Sequence, residues 1–141
     1  MKKDFRFRAK INFFPTKEGG RLYPAFNGYR PILVFNCKKE LNNKKEKMIL
    51  LDSDLTFNTD CILYYHKNKI PLGKEIHCFI EINNYTDKII PFMNINIGFL
   101  ISEMFHVVGY GHFTHIVNDI PFKNGNSSKD INDFLNGSRN I

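Results

Sequence analysis

Along residues 4–15 apolar and polar side chains alternate. Phe5, Phe7, Ala9, Ile11 and Phe13 share one parity; Asp4, Arg6, Arg8, Lys10 and Asn12 share the other. A period of two belongs to a strand with one buried and one wet face. Residues 75–82 repeat the pattern, with Ile76, Cys78, Ile80 and Ile82 on one side and Glu75, His77, Phe79 and Glu81 on the other. Shorter apolar runs at 31–37, 48–51 and 61–65 read as strands, 89–93 as a continuation of the sheet, and 98–103 with 104–117 as a closing hairpin. Residues 38–46 read as a polar hairpin loop, and 16–24, 52–60, 67–69 and 83–88 as loops and turns. Short strands punctuated this often, with no helix-period segment before residue 118, predict an antiparallel barrel or sandwich.

From Asn118 the composition turns to Asn, Ser, Asp, Lys and Gly. Residues 1–117 are therefore expected to form the β domain and 118–141 a polar tail. The tail holds one helix-like island, with Ser127 or Ser128 as N-cap, Asp130 in the first turn and Gly137 past the end. Ile131, Phe134 and Leu135 share a helical face, so a short helix docking on the barrel is the expectation.

A chain of 141 residues, 43% hydrophobic and 14% aromatic, is that of one folded domain. No apolar run approaches the ~20 residues of a membrane helix, so no membrane partner is expected. The start, Met1-Lys2-Lys3-Asp4-Phe5-Arg6, has no apolar h-region. Cys37, Cys61 and Cys78 are odd in number and form no CxxC pair. They read as reduced thiols, which fits a cytoplasmic location. Charge changes the picture more. Residues 1–47 carry 13 Lys/Arg and 4 Asp/Glu, a balance of +9, whereas 48–141 carry 7 and 10, a balance of −3. Such asymmetry points to a basic face that could meet RNA or an acidic protein.

The chemistry-bearing residues do not assemble. There is no GxxxxGK[ST] loop, so no nucleotide is expected. His106, His112 and His115 lack a Cys or carboxylate at ligand spacing, and alternation sends His112 and His115 to opposite faces, so no metal site is expected. His77 and Cys78 diverge for the same reason, and no nucleophile elbow surrounds Ser102. The sequence therefore predicts no catalytic residue and no cofactor. Gly109 and Gly111 lie two apart in a strand and so face the same side, as at a bulge or a close approach of two backbones.

The densest signal is Glu18-Gly19-Gly20-Arg21-Leu22-Tyr23-Pro24-Ala25-Phe26-Asn27-Gly28-Tyr29-Arg30-Pro31, a stretch of turn formers between extended segments. Its Lys17-Glu18-Gly19-Gly20-Arg21, Pro24 and Gly28-Tyr29-Arg30-Pro31, followed by the strand Ile32-Leu33-Val34-Phe35, resemble the start of the C-terminal β-barrel domain of translation elongation factor Tu. A second match is Phe99-x-Ile101-x-Glu103 before Val108-Gly109-Tyr110-Gly111, and a weaker one is Ile70-Pro71-Leu72-Gly73. The resemblance spans roughly residues 4–117 and implies an all-β fold, a closed antiparallel β-barrel.

In that family the barrel lies against a GTPase domain and one of its faces grips the T-stem backbone of tRNA. The resemblance implies surface roles for Gly19, Gly20, Arg21 and Glu103. The family's His after Arg21 is Leu22 here, and its two glycines after Glu103 are Met104 and Phe105. Large side chains there would keep an RNA backbone away and suit a protein partner. Tyr29 and Arg30 are kept, with a structural stacking role weighed against ligand contact. Two readings follow. The first is a non-catalytic protein-binding module, mimicking the translation factor's barrel toward a translation-related partner or a toxin, as an immunity protein would. The other is a tRNA or structured-RNA binder through Arg6, Arg8, Lys10, Arg21 and Arg30.

Overall fold

The computed structural model describes residues 3–35, 37–42, 45–50, 57–104 and 106–121, with backbone alone over 37–42 and 45–50. The expected strand end at Leu51, most of the 52–60 turn, Phe105 and the helix-like island fall outside the described residues.

The alternating segments become the long strands. In chain order the strands are β1 (Phe5–Phe13), β2 (Ala25–Phe26), β3 (Ile32–Val34), β4 (Cys37–Asn42), β5 (Lys45–Leu50), β6 (Asn58–Asp60), β7 (Ile62–Tyr64), β8 (Lys69–Ile70), β9 (Glu75–Ile82), β10 (Gly98–Glu103) and β11 (His106–Ile116). Seven of them form one antiparallel sheet in the order β6-β3-β10-β11-β1-β9-β7. The two outer members, β6 and β7, are consecutive parts of one run bent at Cys61, whose N–H donates to the Pro31 carbonyl at 3.2 Å. The sheet thus meets itself at that bend and closes into a barrel, which removes the free edges an open sheet would expose.

The inward parity of β1 (Phe7, Ala9, Ile11 and Phe13) meets Ile76, Cys78, Ile80 and Ile82 of β9 and Phe113 of β11 in one core. Phe7 stacks on Phe113 at 3.9 Å between ring centroids. At Gly109 and Gly111 a Cβ would stand 2.6 Å from the Asn12 carbonyl oxygen and 2.5 Å from that of Lys10. As expected from their spacing, these glycines let β11 lie close on β1.

Several local expectations change. Residues 38–46 are mostly strand: β4 and β5 pair as a separate hairpin, with Glu40 in register with Lys47. Residues 58–60, expected in a turn, are β6, because the barrel needs a partner for β3. Residues 89–93 lie mostly in a 3-10 turn, Asp87–Phe92, rather than the sheet; Pro91 has no N–H to give a ladder. The polar parity of β1 and β9 is not uniformly wet either. Arg8 is 3% and Phe79 1% exposed, although both face outward. The segment after β11 runs back over Phe79: the Val117 N–H bonds the Arg6 carbonyl, and Val117 and Ile120 pack against Phe79 and Tyr64. The packed domain therefore extends to Ile120.

Candidate functional site

One end of the barrel gathers both motifs that carried the sequence reading. β1 leaves the barrel at Phe13 and passes through a 3-10 turn, Thr16–Glu18. Gly19 then takes φ +89, a left-handed conformation that suits glycine. The Gly20 N–H returns to the Pro15 carbonyl at 3.0 Å. A Cβ on Gly20 would fall 2.0 Å from the Phe14 carbonyl oxygen. The two glycines are needed for different reasons, conformation at the first and space at the second.

This turn aims Arg21 across the barrel end. Its Nη1 donates to Glu103 Oε2 at the end of β10, and at 3.4 Å to the Tyr29 hydroxyl. Its guanidinium lies 4.8 Å from the centre of the Tyr29 ring, and its Nε donates to the Tyr23 carbonyl at 3.1 Å. One side chain thus ties together three parts of the chain. His106, the first residue of β11, adds a second tie, with Nε2 2.7 Å from the Gly19 carbonyl. Burial, and after it the hydrogen bond and charge of Glu103, push the Tyr29 phenol well up, so it stays protonated.

The β10–β11 turn is fixed from within. Ser102 Oγ is placed to donate to the carbonyls of Met104 and His106, at 2.8 and 3.2 Å. Met104 adopts φ +55, a conformation glycine takes without strain. The chain keeps a glycine-type turn yet carries a long apolar side chain on it. That side chain is 77% exposed, and Leu22 and Tyr23 on the facing loop are 77% and 76% exposed. Phe26 on β2 adds a fourth exposed apolar group.

No protein-family model and no curated protein matches the chain.

Of the residues singled out in the sequence, the fold brings Gly19, Gly20, Arg21, Tyr29, Glu103 and Met104 together. Arg30 is exposed at the same end, one residue before the Pro31 that leads into β3. Phe105 lies outside the described residues. Arg6 is elsewhere, paired to Glu81 at 2.9 Å and Asp4 at 3.1 Å. Arg8 is buried, and its charged form is disfavoured first by desolvation. Lys10 is half-buried on the barrel wall. Leu22, Tyr23 and Phe26 were not singled out as site residues, although apolar residues amid glycines and prolines in a loop are a readable anomaly.

Among the described residues no three His, Cys, Asp or Glu are placed to hold a metal ion, and no helix is long and apolar enough to cross a membrane. Cys61 and Cys78 are buried, and burial raises both thiols. Such thiols are poor nucleophiles.

Proposed function

We propose that this chain is a non-catalytic protein-binding module that meets its partner with the loop end of the barrel. The observation that carries this reading is the exposure of Leu22, Tyr23 and Met104 on a frame held by Arg21, Tyr29, Glu103 and His106. A loop whose backbone is already held needs less ordering on docking, and tyrosines such as Tyr23 are common anchors of protein interfaces. Met104 strengthens the case. A left-handed residue with no role beyond the turn would be expected as Gly or Asn.

The resemblance to the elongation factor Tu barrel gives the partner a class. A free-standing barrel of that shape could compete with the translation factor for a partner, or neutralise a toxin that uses it. Arg8 has no surface to offer a phosphate, and Arg6 and Arg21 already hold carboxylates. This favours a protein over the tRNA alternative.

A photo-crosslinking phenylalanine analogue at Tyr23 tests the reading in the native host. A discrete protein adduct is expected, lost in Met104→Asp and displaced by added elongation factor Tu. Adducts unchanged by Met104→Asp, or tRNA retention on filters that falls steeply with salt, would replace this reading with the RNA one.

A further inference from the structure

The outer wall of the barrel, away from the loop end, carries a second concentration of function-bearing groups. Lys10 at the middle of β1 pairs in register with His77 of β9 on one side and His112 of β11 on the other. Directly opposed residues project to the same face with Cβ atoms about 5 Å apart. That face is the outer one, because Ala9 and Ile11 on either side of Lys10 are in the core. Further along β1, Arg8 pairs with His115; a β-bulge between Arg8 and Ala9 puts His115 on the face of His112, where simple alternation would have sent it to the opposite one. Five groups able to carry positive charge therefore occupy three adjacent strands. Lys10, His77, His112 and His115 are each half-buried, so solvent reaches them.

Acidic groups among the described residues stand at the margins of this face. Glu75 stands beyond His77 on β9, across from Asn12, and Glu81 is held by Arg6. Asp119 lies on the segment after β11 and caps the Ile120 N–H. The flanking strands also carry the phenols of Tyr64 and Tyr110 and the buried thiol of Cys78, while Glu103 and His106, at the far ends of β10 and β11, belong to the loop-end frame. Desolvation first, then Arg8 and Lys10, hold His77 below its ordinary pKa of 6.5, with Glu75 opposing and His115 adding to them. Its Nδ1 is buried with no hydrogen-bond partner among the described residues. Like charges set opposite each other in a sheet are unfavourable, and an anion seated between them relieves the repulsion.

We infer that Lys10, His77 and His112 form a seat for a divalent oxyanion of the phosphate class, with Arg8 and His115 supplying the field behind it. The seat tightens as the histidines take up protons. By linkage, the bound anion raises the pKa of His77.

The test follows histidine ring signals by NMR as inorganic phosphate replaces chloride at constant ionic strength, near pH about 6 where His titrates. The signals of His77 and His112 should move together and saturate, and the His77 pKa should rise by about half a unit or more. Lys10→Met should abolish saturation, Lys10→Arg should restore it, and Lys69→Met on β8 should leave it intact. Signal dispersion in the same spectra reports whether each variant is folded. A parallel arm uses a short RNA duplex, whose phosphodiesters carry single charges. Shifts linear in phosphate, saturation that survives Lys10→Met, or saturation by RNA alone would each overturn the assignment.

Discussion

Arg21 and Glu103, 82 residues apart in the chain, form an ion pair that joins the Gly19–Gly20 loop to the β10–β11 turn. The two sequence motifs thereby become one surface. Because both side chains keep some contact with water, the pair's coupling should be modest, about 0.5–1 kcal/mol. A double-mutant cycle with Arg21→Ala and Glu103→Ala, read by chemical denaturation, should return that value. Partner capture should fall in both single variants, since either one frees the loop.

Met104→Gly separates stability from binding. Relief of the left-handed strain should raise stability by up to about 1 kcal/mol. Loss of the exposed side chain should weaken partner capture. Denaturation and crosslinking of one preparation give both readings, and a fall in stability would show that the turn prefers its methionine.

Gly19→Ala and Gly20→Ala should rank unequally. At Gly19 nothing crowds a Cβ and only the positive φ resists, so about 1 kcal/mol is expected. At Gly20 the Phe14 carbonyl must move, so more than about 2 kcal/mol is expected. Gly19→Asn should be milder than Gly19→Ala because Asn tolerates left-handed backbone. Equilibrium denaturation gives the order.

Acidification should destabilise the fold through His66 and His77. Burial lowers both below 6.5, with Lys67 adding at His66 and Arg8 and Lys10 at His77. The unfolded chain then binds more protons than the folded one as pH falls below about 6.5, so stability rises with pH across that window. The double variant His66→Asn/His77→Asn should flatten the dependence. Inorganic phosphate should also reduce it, if the oxyanion seat is occupied.

Ile120→Ala should cost about 2 kcal/mol, the penalty of a buried aliphatic truncation. It would uncover Phe79, which is 1% exposed under the returning segment. Ending the chain at residue 116 should cost at least as much. Thermal or chemical denaturation of both variants measures the contribution of this strap.

The alternation at 5–13 and 75–82 was enough to fix β1, β9 and their inward faces, because a strand's side chains must alternate wherever one face is buried. The glycines at 19, 20, 109 and 111 were readable for a similar reason: each answers a backbone demand that few other residues meet. Other features had no local signature. Asn58–Asp60 looks like a turn and becomes a strand only because β3 offers it a ladder. Phe79 sits on the polar parity and is buried because Val117 and Ile120 return over it. Arg21 and Glu103 each read as a surface charge until closure of the barrel brings their strand ends together. Periodicity is a property of neighbours in the chain, so sequence determined the strands and their inner faces. Long-range approach determined which outward groups are covered, paired or left free for a partner.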